Sequence, residues 1–334
     1  MKNKILGIAM LSALGFSASA QQKNDLRILA VHKIHSDGGW DYLSVDQKSK
    51  NLFISHGNQV NILNSKGDSI GIISNTIGVH GITFVNNLGK GYTSNGKSAS
   101  CTIFDLKTFA VLGQVNVGQN PDALFYDDFS KKVIVFNGKS KDASIIDPKT
   151  DKVIATVALG GKPEAGVSDG KGKIYVNIED TNEIVCFSAL NFKVLSRYKL
   201  TGGEEPSGLA INRLTSRLFT VCSNKKMIIL DANSGKQITS LPIGEECDGV
   251  VFDPATKLAY SANGEGNITV VKEISADKFV VQETVKTAVG ARTIALDYDN
   301  HHLFLPTADF EKTSVSGQRP KKISGTFRVL EVGK

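Results

Sequence analysis

The chain is short of the motifs that announce chemistry. No P-loop or nucleophile elbow sits in the strand–turn–helix setting those motifs need, and there is no HExxH helix, dinucleotide fingerprint or CxxCH haem site. Nucleotide, serine-hydrolase, zincin and c-type haem activities therefore have no anchor. Four cysteines in 334 residues are too sparse for a disulfide framework, and their spacings make no zinc site. No stretch after residue 20 is apolar enough to span a membrane. Charge is nearly balanced, 39 basic against 33 acidic residues, a mild excess that does not point to nucleic acid.

The first twenty residues stand apart. Lys2 and Lys4 precede an apolar run, Ile5–Phe16, and Ala18-Ser19-Ala20 is a small-residue cleavage site. This predicts a signal peptide, a mature chain from Gln21 and a periplasmic or secreted product. No cysteine follows the cleavage site, so no lipid anchor is expected. In an oxidising compartment Cys222 and Cys247 would lie at one rim, which allows a disulfide. Cys101 and Cys186 are expected as buried thiols.

What is present is a repeat. Pro206–Gly244 reads as four short strands: Ser207–Ile211, Arg217–Cys222, Met227–Asp231 and Lys236–Pro242. β-Branched and large apolar residues fill the runs, with Asn, Ser, Gly and Lys between them. Related copies begin at Trp40, His80, Pro121, Pro163, Cys247 and Ala291. One such unit cannot bury both of its faces, so the copies must stack. The last copy has strands at Thr293–Asp297, His302–Pro306 and Gly325–Val332 but no fourth. Leu26–Ile34 reads as the missing one, so the two ends of the chain should close a ring.

Seven copies of four strands predict an all-β, seven-bladed β-propeller over residues 21–334, folded as one domain. More narrowly, PDALFYDD…KKVIVFNGKSKDASIIDPKTDKVIATVALG, Pro121–Gly160, resembles the YVTN-repeat, YncE-like family of exported propellers. The resemblance runs from Leu26 to the C-terminus. It implies the fold and leaves function open, since propellers support binding, lactone hydrolysis and redox chemistry alike.

In a propeller the first strand of each blade lines the channel. Aligning the copies places Asp41, His80, Asp122, Glu164, Ser207, Asp248 and Arg292 at one mouth. Six of the seven are ionisable. Asp and Ser also cap turns by bonding their own backbone, but turn capping does not explain His80, Glu164 or Arg292. A second ring on the same face includes three Asn-Gly pairs, Asn95-Gly96, Asn137-Gly138 and Asn263-Gly264, read as tight turns with positive φ. Glu179-Asp180 breaks that pattern. With Glu164 and Asp122 it could form an oxygen-rich site for a divalent cation such as calcium. His80 with several carboxylates suits a transition metal instead. Trp40, the only tryptophan, either stacks on a ligand or packs between the first and last blades. Phe84, Phe125, Tyr126 and Phe252 are expected between blades. Ala308–Ser324, with Lys312, Arg319, Lys321 and Lys322, reads as a surface loop or as a basic lid over the mouth.

Two functions follow. One is a non-catalytic exported propeller, expected as a monomer, whose mouth binds a small polar molecule, a cation or a protein partner. The other is a metal-assisted hydrolase resembling the propeller lactonases. There Glu164 would hold the ion, Asp248 or His80 would act as base, and Arg292 would stabilise the oxyanion.

Overall fold

A computed structural model describes residues 26–36, 38–311 and 321–334. The expected signal peptide and Gln21 lie outside the described residues, as do Lys312 and Arg319.

Seven four-stranded antiparallel sheets are arranged as blades. The first six span Trp40–Ile73, Val79–Asn116, Pro121–Ala158, Pro163–Lys199, Pro206–Pro242 and Cys247–Lys286. Each runs outward from its first strand in chain order. The seventh pairs Ala295–Leu296 with Leu303–Thr307, then Arg328–Gly333, and is completed by Arg27–Lys33 from the other end of the chain. The closure inferred from the incomplete last copy is present, with His32 opposite Val329 and Lys33 opposite Arg328. His32 and His302 grip the two oxygens of Glu331 at 2.8 and 2.6 Å, which adds polar contacts to that seam.

The hydrophobic core is divided among seven clusters, one at each junction between neighbouring blades. Second and third strands supply most of it, because both of their faces are covered. Phe136 and Phe187 fill the junction of blades 3 and 4, and Phe219 stacks on Phe252 between blades 5 and 6 at 5.0 Å. Phe84, Phe125 and Tyr126 pack against such clusters, as expected.

The Cys222–Cys247 disulfide is not formed: both are free, buried thiols. Cys222 faces the cluster between blades 4 and 5, and Cys247 the cluster between blades 5 and 6. The sheet of blade 5 separates the two directions. The Cys247 thiol instead meets the Ser261 hydroxyl at 2.9 Å. Cys101 and Cys186 are also free and buried, as expected.

The Asn-Gly turns are built differently from the sequence expectation. Of the four glycines that end second strands, Gly57 has a positive φ, whereas Gly96, Gly138 and Gly264 do not. The left-handed residue in the second and third blades comes later, at Ala99 and Lys141. The preceding asparagine is a buried brace: Asn95 Nδ2 donates to Thr102, and Asn263 Nδ2 to Asn267 and Thr269.

Candidate functional site at the channel mouth

The pairing of first with second strands skips at one end of the channel. It jumps from Trp40 to Leu43, Val79 to Ile82, Pro121 to Leu124, Pro163 to Gly166 and Pro206 to Leu209, and from Cys247 to Gly249 in blade 6. A bulge releases a residue from the ladder and re-aims its side chain. The residues released include Asp41, His80, Asp122, Glu164, Ser207 and Asp248. Arg292 lies just ahead of the shortened first strand of blade 7, and its carbonyl accepts the Gly249 N–H at 2.9 Å. The residues aligned from sequence therefore share one structural position.

They form local pairs. His80 Nδ1 lies 2.6 Å from Asp41 Oδ2 and 3.9 Å from Asp122 Oδ1. Glu164 accepts from Lys162 at 2.9 Å, and Lys162 also contacts Glu179. Arg292 Nε donates to Asp248 at 2.7 Å. Ser207 turns aside, and its hydroxyl bonds the Cys247 carbonyl at 3.1 Å. Ser207 thus ties blade 5 to blade 6, and nothing in its contacts marks it as a ligand group. Below the pairs, the first strands enclose a cavity of about 170 Å³, lined by Tyr42, Phe125, Leu209 and Asp248 among others.

Crowded acids in a narrow channel hold their protons. Burial, then the charges of Asp41 and Asp248, push Asp122 up to about 7, against His80 and Lys162. Burial and Asp122 push Glu164 up to about 9 despite Lys162. Asp248 rises through burial and Asp41, although Arg292 opposes it. For His80 burial disfavours the charged ring, but the bond to Asp41 and the charges of Asp122, Asp41 and Asp248 outweigh it and raise the pKa.

The oxygen-rich set Glu164, Asp122, Glu179 and Asp180 is divided between partners. Lys162 takes Glu164 and Glu179. Asp180 bonds Lys141 at 2.7 Å and the Lys162 backbone N–H at 2.7 Å. Among the described residues, one group of three metal-ligating side chains converges. Asp41, His80 and Asp122 offer ligand atoms that all lie within 4.8 Å of one another. This is the histidine–carboxylate alternative, not the all-carboxylate one.

Two groups at the mouth escaped the sequence reading. Lys162 precedes the Pro163-Glu164 step, outside the aligned column. Tyr42 follows Asp41 and reads as an ordinary strand residue, yet burial and the charges of Asp122, Glu164, Asp41 and Asp248 hold its hydroxyl protonated. A strand-alternation argument could have found Tyr42, since a bulge changes which residues face the channel.

Trp40 packs on the last blade, stacked on Phe327 at 5.2 Å and tilted to Phe310 at 6.2 Å. The base of the expected lid is a short antiparallel ladder, Phe310 opposite Lys322. It brings Lys322 Nζ to 4.5 Å above the Trp40 ring.

Two stretches match catalytic patterns by letter alone. GYTSNGKS, Gly91–Ser98, fits a phosphate-loop spacing but is a strand running into a hairpin turn. GVSDG, Gly166–Gly170, fits a nucleophile elbow, but Ser168 is buried and donates to Asp127 at 2.6 Å. No helix follows either stretch.

No family model and no curated protein matches the chain. Solved structures do. A chain of Kuenenia stuttgartiensis hydrazine synthase aligns with a TM-score of 0.70 at 15% identity, covering 84% of this chain and 95% of that one. A chain from a crystal structure of the mitotic checkpoint complex aligns with a TM-score of 0.75 at 13% identity, covering 91% and 96%. At such identities the likeness is one of fold, and the seven-bladed propeller is what these proteins share with this chain.

Proposed function

We propose that the chain is an exported, non-catalytic binding propeller of the kind its repeats resemble. Its mouth takes a divalent cation on Asp41, His80 and Asp122. The observation that carries this reading is the convergence of one imidazole nitrogen and two carboxylates within 4.8 Å. An imidazole among the donors favours a zinc- or manganese-like ion over calcium, which prefers six to eight oxygens. Three protein ligands leave positions open for a small molecule or a partner's side chain.

The hydrolase reading is less well supported. It asks Glu164 to hold the ion and Asp248 or His80 to act as base, but Lys162 already engages Glu164 and Arg292 already engages Asp248.

Calorimetric titration of the purified protein with Zn²⁺ and Ca²⁺ tests the proposal. One equivalent of Zn²⁺ should bind more tightly than Ca²⁺, and Asp122→Asn should weaken it about 100-fold. Equal binding by Asp122→Asn would overturn the cation site. Turnover of a lactone panel would overturn the non-catalytic part.

A further inference from the structure

The side of the mouth between the last and first blades carries the opposite charge. Lys322 is exposed and makes no ion pair with any described residue. Its ammonium meets the Gly38 carbonyl at 3.4 Å and the Trp40 ring at 4.5 Å. Burial and the nearby positive charge of Arg292 both pull its pKa down. Arg292 gives its Nε to Asp248, and its two terminal nitrogens bond no described residue. Thr293, next to Arg292, donates its hydroxyl to the Asp41 carbonyl at 2.7 Å, which sets Arg292 beside the strand that carries Trp40 and hence on the same arc as Lys322. Two cations there, neither neutralised beyond the Arg292–Asp248 pair, leave electrostatic room for an anion.

The walls beside them are apolar. A cavity of about 400 Å³ is lined by Trp40, Phe327, Ala308 and Ile323, with Lys322 and Ser36 at its edge. The Trp40 Nε1 is buried and finds no acceptor among the described residues. This combination is the usual make-up of a small-molecule site: a mostly apolar concavity with a few convergent polar groups.

We propose that this arc binds a small organic carboxylate, its anionic group held by Arg292 and Lys322 and its apolar body against Trp40. The guanidinium fork suits a planar carboxylate, and the apolar wall rewards a ligand with a hydrophobic body over a bare inorganic anion. The site goes beyond the cation reading and does not need it, because none of its three key residues belongs to the Asp41, His80 and Asp122 group.

Trp40 is the only tryptophan, so its fluorescence reports on this site alone. The test titrates the purified protein with benzoate in EDTA, which removes any contribution from a bound metal. Benzamide and inorganic phosphate serve as comparison probes. Benzoate should change the emission saturably, and benzamide should not. Phosphate should bind at least about ten-fold more weakly than benzoate. Lys322→Gln should weaken benzoate about ten-fold or more, with Lys322→Arg restoring it. Circular dichroism checks that both variants stay folded. No saturable response overturns the site. So does an unchanged affinity in folded Lys322→Gln. Equal binding of phosphate or benzamide overturns the carboxylate assignment.

Discussion

At the end of the channel opposite the mouth, Asp46, Asp127 and Asp253 hold equivalent places and have the same task. Each is buried at the end of a first strand and accepts hydrogen bonds from the turn that follows. Asp127 takes the Ser130 N–H at 2.8 Å and its hydroxyl at 2.6 Å; Asp253 takes the Thr256 hydroxyl at 2.6 Å. At the mouth the equivalent places hold Asp, His, Asp, Glu, Ser, Asp and Arg. Their partners differ from blade to blade: an imidazole, a lysine, a guanidinium or a backbone carbonyl. Where residue and bond both recur, as in these three blades, the position is part of the scaffold. A position that repeats only its geometry is free to carry a ligand. Ser207 limits that rule, since it varies and yet bonds only backbone.

The contrast can be broken from either end. The largest effect is expected from Asp127→Ala, which strands buried donors and should cost about 3 kcal/mol of unfolding free energy in denaturant titration. Cation binding at the mouth should survive in the folded fraction. Asp122→Asn should do the reverse and lower Zn²⁺ affinity about 100-fold, or ~2.7 kcal/mol, without loss of the fold.

The pH dependence sharpens the comparison. Asp122 titrates near 7 in the folded protein, above the ordinary 3.8. The folded state thus holds this proton more tightly than the unfolded chain does. Its contribution to stability is full below pH 3.8 and is lost as pH rises through about 7. Unfolding free energy should fall across that window, less steeply in Asp122→Asn. Cation affinity should run the other way and rise with pH, because Asp122 and His80 must release protons to become ligands. Opposite slopes in the two measurements are the expected outcome.

A smaller effect is expected at Gly96. A Cβ there would lie 2.7 Å from His80 Nε2, so Gly96→Ala should tilt the imidazole. About a ten-fold loss of Zn²⁺ affinity should follow, with thermal stability changed by less than about 1 kcal/mol. Ser207→Ala should leave Zn²⁺ affinity unchanged, which separates it from the rest of the ring.

The blades were legible because a period of alternating strands and turns is a local signal repeated seven times. The strand Arg217–Cys222 has the boundaries read from sequence, and the circular closure followed from one missing strand at one end and one spare at the other. The ring of mouth residues was legible for the same reason, since register carries over from copy to copy. Partner choice was not. Lys162, Tyr42 and the Lys322–Trp40 contact lie outside the aligned column. The Asn-Gly pairs gave the right turns for the wrong reason, because Gly96 is needed for space beside His80 and not for its φ. The cysteines misled because a shared rim says nothing about which face of a sheet each thiol takes.

The central claim is that the bulged, variable positions at the mouth gather a cation. Anomalous diffraction from crystals soaked in Zn²⁺ tests it most directly. The account predicts one strong peak within bonding distance of Asp41, His80 and Asp122. A peak elsewhere with none at these residues, or no peak at all, would contradict it.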